Sequence, residues 1–192
     1  MRLLLGTLFA LAVAAAVGLG ATYFALTRGA AFGGLSIGSW TARPKTGTTD
    51  ADPYARATIA RTGQLPIALG DGVSFSAQTD DAGKLLDGRC DVVLSGITPA
   101  ARFWTLTLYN INGELVANSV GRYGFTSQEI VRHADGNFEI VVAPRASAGN
   151  WLPTGGVDRY ALVLRFYDTA VGVATKAGRE VPMPAISTRS CP

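Results

Sequence analysis

Two cysteines, one histidine and a set of arginines with aromatic neighbours are the side chains of this sequence with the chemistry to do more than pack. Cys90 and Cys191 are an even pair. In an oxidising compartment such a pair reads as a disulfide. In a reducing one they would be two buried thiols. Closing a loop of about 100 residues would stabilise the fold by about 4.7 kcal/mol in the chain-entropy description. Two sulfurs without nearby histidines make an incomplete zinc site, so no metal is expected. His133 is the single histidine and lies in Val131-Arg132-His133-Ala134-Asp135-Gly136. The expected place is a helix end before a turn, where a histidine interacts with the helix C-terminus. A general base needs a positioned partner and a cleft, and no such partner is visible, so no catalytic residue is assigned.

Arg102, Arg122 and Arg165 have Trp104, Tyr123 and Tyr167 close by in sequence. One reading is an anion or carboxylate clamp lined by aromatic rings. The other is ion pairs and stacking that hold the fold together. Asn150-Trp151-Leu152-Pro153 is expected in a loop between strands. There Trp151 and Asn150 could stack on and hydrogen-bond a sugar ring. Equally, Trp151 could plug the end of the fold while Asn150 satisfies loop backbone groups. These eight residues form the candidate binding set, with no cofactor. Gly34-Leu35-Ser36-Ile37-Gly38 has the spacing of a nucleophile elbow, but that motif needs a strand before it and a helix after it. It is read as a chance match.

The element that decides where all these groups work is at the N-terminus. No charged residue occurs between Arg2 and Arg28. A helix of about 25 residues spans roughly 37 Å, against a hydrocarbon core of about 30 Å. Residues 3–27 are therefore expected to contact a lipid bilayer. A cleaved signal peptide is the rival, with Ala14-Ala15-Ala16 as its cleavage site. The apolar run continues past it through Val17, Leu19, Tyr23, Phe24 and Leu26, which favours an uncleaved signal anchor. Arg2 favours a cytoplasmic N-terminus, whereas Arg28, Arg43 and Lys45 oppose it. The short N-terminal tail and the paired cysteines place the expected domain outside, in the periplasm of a Gram-negative bacterium, anchored in the inner (cytoplasmic) membrane. Ala14 and Gly18 lie at helical spacing and could pack against another helix, although an Ala-rich span contains such pairs by composition alone.

Residues 29–51 read as a Gly- and Thr-rich connector, and 52–192 as the folded domain. Asp52 is a suitable N-cap, Pro53 a suitable first helical residue and Gly63 a suitable C-terminal stop, which predicts a helix of two to three turns. Beyond it the apolar period becomes two. Strands are predicted over 73–79, 90–94, 103–109, 137–143 and 160–167, with a returning segment at 115–118 after the Asn112-Gly113 turn. Thr126-Ser127-Gln128-Glu129 has capping-box spacing, which predicts a second short helix. The proline-containing tail over 182–186 suits a sheet edge. With 23 glycines and 9 prolines, this pattern predicts a mainly β, antiparallel sandwich with one or two short helices, preceded by one transmembrane helix. The net charge of +3 is mild and no basic block stands out, so no nucleic-acid partner is expected.

Several motifs in this order line up with one family. They are Gly38-Ser39-Trp40, Asp52-Pro53-Tyr54-Ala55-Arg56-Ala57, Ala101-Arg102-Phe103-Trp104-Thr105-Leu106-Thr107-Leu108-Tyr109, Asn118 with Arg122-Tyr123, Ala134-Asp135-Gly136, Asn150-Trp151-Leu152-Pro153 and Leu164-Arg165-Phe166-Tyr167. Together they resemble the bacterial family called "domain of unknown function 1214". The resemblance implies a sandwich of jelly-roll type and no activity, cofactor or substrate. Long relatives carry a further domain before this one, where this chain has a membrane anchor and a connector. The leading expectation is an uncharacterised, non-enzymatic single-pass membrane protein that presents a disulfide-closed sandwich to the cell envelope for binding or scaffolding. Its ligand or protein partner there is unspecified. The alternative is an envelope hydrolase or other enzyme acting on a polymer or small molecule through carboxylates such as Asp158 or Asp168. A third possibility is an assembly subunit that docks through its anchor.

Overall fold

The computed structural model describes residues 1–28, 34–63, 65–68, 70–171 and 181–192. Helix α1 runs from Arg2–Arg28, and its Arg2–Ala25 stretch has a mean hydropathy of 2.3 with none of it buried in the protein. It is long and apolar enough to cross a membrane. Helix α2, Pro53–Thr62, begins and ends as its residue types require. Asp52 accepts hydrogen bonds from the Tyr54 and Ala55 N–H groups at 3.0 Å each, and Gly63 takes φ +66° and donates to the Ile59 carbonyl. These two helices belong to one compact unit and the strands to another.

The second unit is two sheets. Its strands are β1 (Leu35–Ile37), β2 (Trp40–Ala42), β3 (Gly72–Ala77), β4 (Asp91–Gly96), β5 (Ala101–Asn110), β6 (Gly124–Thr126), β7 (Phe138–Ala143), β8 (Asn150–Pro153), β9 (Tyr160–Thr169) and β10 (Ala185–Ser190). A six-stranded sheet has the order β1-β2-β3-β9-β5-β6, and a four-stranded sheet the order β10-β4-β7-β8. The long strands β5 and β9 pair antiparallel through Leu106 opposite Leu164, while β4 and β7 pair through Leu94 opposite Ile140. Alternation then does what a period of two predicts. Trp104, Leu106 and Leu108 of β5 and Leu162, Leu164 and Phe166 of β9 face one buried core with Val92, Leu94, Ile140, Val142, Leu152 and Ile186 from the smaller sheet. Trp104 stacks on Phe138 at 5.7 Å between ring centroids and so joins the two sheets.

The structure is mainly β and sandwich-like, as expected, with several local differences. The larger sheet is antiparallel, but β8 runs parallel to β7, so the smaller sheet is mixed. Parallel neighbours normally need a crossover of a dozen residues or more. Here the six residues between β7 and β8 suffice, because β8 starts opposite Ile140 and is only 4 residues long. Among the described residues the sheets have six and four strands, an arrangement that is sandwich-like without confirming the jelly-roll type. The expected connector over 29–51 is corrected in part. Residues 29–33 lie outside the described set, but Leu35–Ala42 forms the β1–β2 hairpin, and Trp40 within it is 1% exposed. Its indole donates to the Pro184 carbonyl at 2.7 Å, which draws the stretch into the core. Ser36 thus sits mid-strand before a hairpin turn, with no helix after it, so no nucleophile elbow forms.

The helix expected after Thr126 is absent. Glu129 accepts from the Thr126 N–H at 3.1 Å, which is one half of a capping box, but the segment closes as a turn with Ile130 buried. His133 accordingly sits exposed in the turn before β7, not at a helix end, and its N–H donates to the Asn137 carbonyl. The return over 115–118 reduces to one bridge between Tyr109 and Leu115. Tyr160 Oη is buried without a hydrogen-bond partner among the described residues, and burial followed by the Asp87 charge pushes its hydroxyl well above the usual tyrosine range. Tyr160→Phe removes an unsatisfied group and keeps the ring. Urea unfolding followed by circular dichroism should show unchanged or increased stability, by up to about 1 kcal/mol.

Candidate functional site

The disulfide and one edge of the four-stranded sheet define the most distinctive polar surface. Cys90 immediately precedes β4 and Cys191 immediately follows β10, and the two are joined with a Cα separation of 4.2 Å. Antiparallel pairing sets this up, because Ser190 lies opposite Asp91. Two aspartates in the turn after β3 hold β10 in place. Asp80 accepts from the Lys84 and Ala82 N–H groups and from the Thr188 hydroxyl at 2.7 Å. Asp81 accepts from the Ile186 N–H at 2.8 Å and from the Ser39 hydroxyl, so one carboxylate fastens both β10 and the β1–β2 turn. Burial raises the Asp80 carboxyl, but the Thr188 hydroxyl, the Lys84 and Ala82 N–H groups and the Lys84 charge outweigh it and leave it below its ordinary 3.8.

Beside the disulfide lies a solvent-open depression of about 360 Å³. Val141, Ala143 and Pro144 contribute to its lining, and so do three arginines, Arg89, Arg145 and Arg189. Arg89 forks onto Asp87, with Nε to Oδ1 at 3.0 Å and Nη2 to Oδ2 at 2.6 Å. That hydrogen bonding, then the Arg89 charge, holds the Asp87 carboxyl well below the usual carboxylate range. Arg189 reaches Glu139 at 2.9 Å. It falls at the register shift between Thr188 and Ser190, a β-bulge, which is a device that re-aims a side chain. Arg145 lies in the link between β7 and β8 and has no carboxylate partner among the described residues. Asp91 also lines the depression and accepts from the Ser190 hydroxyl at 3.0 Å. Lys84 Nζ donates to Cys191 Sγ at 3.0 Å.

The eight residues singled out in sequence are scattered. Trp104 is in the core. Arg102 is exposed and shares the side of β5 that carries Trp104, whereas Arg165 and Tyr167 lie half-buried on the outer face of the same sheet. Arg165 sits over the Tyr109 ring at 5.5 Å and donates to its hydroxyl at 3.3 Å, while Tyr167 lies 6.0 Å from Phe103. Arg122 donates to the Trp151 carbonyl at 2.9 Å and lies 5.3 Å from the Phe125 ring. Tyr123 is exposed. Residues 150–153 form strand β8 in place of the expected loop. The cause is the Asn150 amide, which bonds Val131 N–H, Val131 carbonyl and Glu139 carbonyl, each at 2.8 Å, and so fixes β8 between two neighbours. The Trp151 indole donates to the Ala143 carbonyl. Asp158 lies two residues before β9 and Asp168 is the last residue but one of that strand, so they stand at opposite ends of the element. No group of three or more His, Cys, Asp or Glu that could hold a metal occurs among the described residues. Arg89, Arg145 and Arg189 were missed, although Arg89-Cys90 and Arg189-Ser190-Cys191 carry a signal: pairing the cysteines brings their arginine neighbours together.

The family model described as "Protein of unknown function (DUF1214)" matches residues 71–171, more than half of the chain. The chain belongs to this family. The match runs from just before β3 to the end of β9, so it covers both long strands and excludes β1, β2 and β10. Among solved structures, the VPA0106 protein from Vibrio parahaemolyticus is 24% identical over 73% of this chain, with a TM-score of 0.59, and shares its fold. This chain spans 36% of that protein's length. An uncharacterised protein from Burkholderia cenocepacia is 17% identical over 64% of this chain and 30% of its own, with a TM-score of 0.41. A search of curated proteins finds no match.

The fastening of β10 has a defined acid response. The Asp80 carboxyl is depressed in the folded state, so its contribution is present above about 3.8 and is lost as pH falls through the folded value. Unfolding midpoints measured from pH 7 to pH 2 should fall for the parent chain, and Asp80→Asn should be less stable at pH 7 with a shallower acid decline. Reducing the disulfide, or Cys90→Ser with Cys191→Ser, should cost up to about 4.7 kcal/mol in the same unfolding assay.

Proposed function

We propose that this chain is a single-pass membrane protein whose β-sandwich is exported and serves as a non-catalytic binding or scaffolding module of the cell envelope. The observation that carries the reading is the pairing of α1 with the Cys90–Cys191 disulfide. An uninterrupted apolar helix supports contact with the bilayer through residues 3–27. A disulfide closing a loop with a sequence separation of 101 is at home in an oxidising compartment. Arg2 supports a cytoplasmic N-terminus in the inner membrane, with the sandwich in the periplasm. Arg28, Arg43 and Lys45 on the other flank pull the opposite way, so the disulfide carries more weight in the orientation than the charges do.

Alkaline phosphatase and green fluorescent protein fused separately after Pro192 test the orientation. The expected result is an active phosphatase and a dark fluorescent fusion, with the chain retaining its N-terminal segment and resisting carbonate extraction. An inactive phosphatase with a bright fluorescent fusion would place the sandwich in the cytoplasm and overturn the reading. Loss of the N-terminal segment with release of the domain would overturn the anchor.

A further inference from the structure

We propose that the arginine-lined depression beside the Cys90–Cys191 disulfide binds an organic oxyanion, a phosphorylated or carboxylated group carried on a small molecule, a lipid or a polymer. Three segments far apart in sequence each supply one arginine to its lining: Arg89 before β4, Arg145 from the β7–β8 link and Arg189 from the end of β10. A guanidinium carries five N–H donors, so Arg89 and Arg189 keep donors beyond those given to Asp87 and Glu139, and Arg145 has no carboxylate partner among the described residues. The carboxylates around these arginines are Asp87 on Arg89, Glu139 on Arg189 and, in the lining itself, Asp91, which the Ser190 hydroxyl already engages.

Two of the guanidiniums are held before any ligand arrives. Arg89 is next to the buried Cys90 and forked on Asp87, and Arg189 is turned by the bulge and tied to Glu139. Such pre-set arginines match the planar geometry of phosphate and carboxylate and lose little freedom on binding. Arg145 is the cation without a carboxylate partner among the described residues, which makes it the group with the most to gain from an anion. The size of the depression argues for an organic carrier. About 360 Å³ is within the range of small-molecule sites and many times the roughly 30 Å³ share of one water. Val141, Ala143 and Pro144 offer the carrier an apolar surface beside the charges.

This assignment rests on reading the sandwich as a binding module, but not on its compartment. The full chain in nanodiscs of zwitterionic lipid can be titrated calorimetrically with inorganic pyrophosphate and with citrate. We expect saturable one-to-one binding of at least one probe that weakens with added salt. Arg145→Gln should weaken it by about tenfold or more, the scale of one charge-assisted hydrogen bond. Its unfolding midpoint should be unchanged, since Arg145 is exposed. Arg61→Gln, on exposed α2 surface, removes the same charge and should leave binding unaltered. Nanodiscs containing phosphatidylglycerol separate the sources. Loss of probe binding there in the parent chain identifies a lipid headgroup as the occupant, and retention identifies a soluble or polymer-borne anion. Absence of saturable binding to either probe, or equal weakening by Arg145→Gln and Arg61→Gln, would overturn the site. A negative titration of a chain that the phosphatase fusion places outside the cytoplasm would remove the ligand and leave the topology standing.

Discussion

Strand β10 sits at the edge of the smaller sheet, and its attachment there supports the core, the β1–β2 hairpin and the arginine depression together. Its Ile186 is fully buried, so the inner face of the sandwich closes only with β10 in place. The Pro184 carbonyl just before it accepts the Trp40 indole, so the hairpin at the far edge of the other sheet leans on the same segment. Asp80, Asp81 and the disulfide hold it from three directions. An edge strand alone has hydrogen bonds on one side only, and a short one frays easily. The buried Asp80 and the exposed Asp81, each accepting more than one hydrogen bond, and a covalent link turn that edge into a fixed wall.

The same attachment explains why the polar surface is where it is. A disulfide between the start of β4 and the end of β10 places the flanking Arg89 and Arg189 near each other, and the bulge at Arg189 turns it relative to its neighbours. Arg145 joins them because the short parallel β8 forces the chain to double back after β7. The depression is thus a by-product of how two edges of a sheet are finished. Membership of the family extends over residues 71–171, whereas Arg189 and Cys191 lie beyond that match. The depression thus draws Arg89 and Arg145 from the matched stretch and Arg189 from beyond it.

The resemblance and the alternation of apolar residues led to the right class of fold, because side chains on a strand must alternate whatever their partners are. The cap residues of α2 worked for the same local reason: Asp52, Pro53 and Gly63 act within one helical turn of themselves. Local signals failed where a distant contact outweighed them. Thr126 and Glu129 form their hydrogen bond, yet burial of Ile130 ends the segment as a turn. The Asn150 to Pro153 stretch carries loop-like residues, yet the Asn150 amide locks it into the sheet through Val131 and Glu139. Trp40 lies in a Gly- and Thr-rich stretch that reads as linker, and only the core on the other side of it shows why it is ordered.

By itself the sequence determined the apolar N-terminal helix, the β-rich domain and the presence of a pair of cysteines able to bond, since each depends on composition or on spacing within a few residues. Tertiary structure decided which arginines meet. Arg102, Arg122 and Arg165, conspicuous for their aromatic neighbours, are separated by the faces and ends of the larger sheet. Arg89, Arg145 and Arg189, with no common motif, are collected by strand register, a bulge and a parallel turn-back. Register couples residues that are distant in sequence, and a shift of one position would send every side chain of a strand to the opposite face.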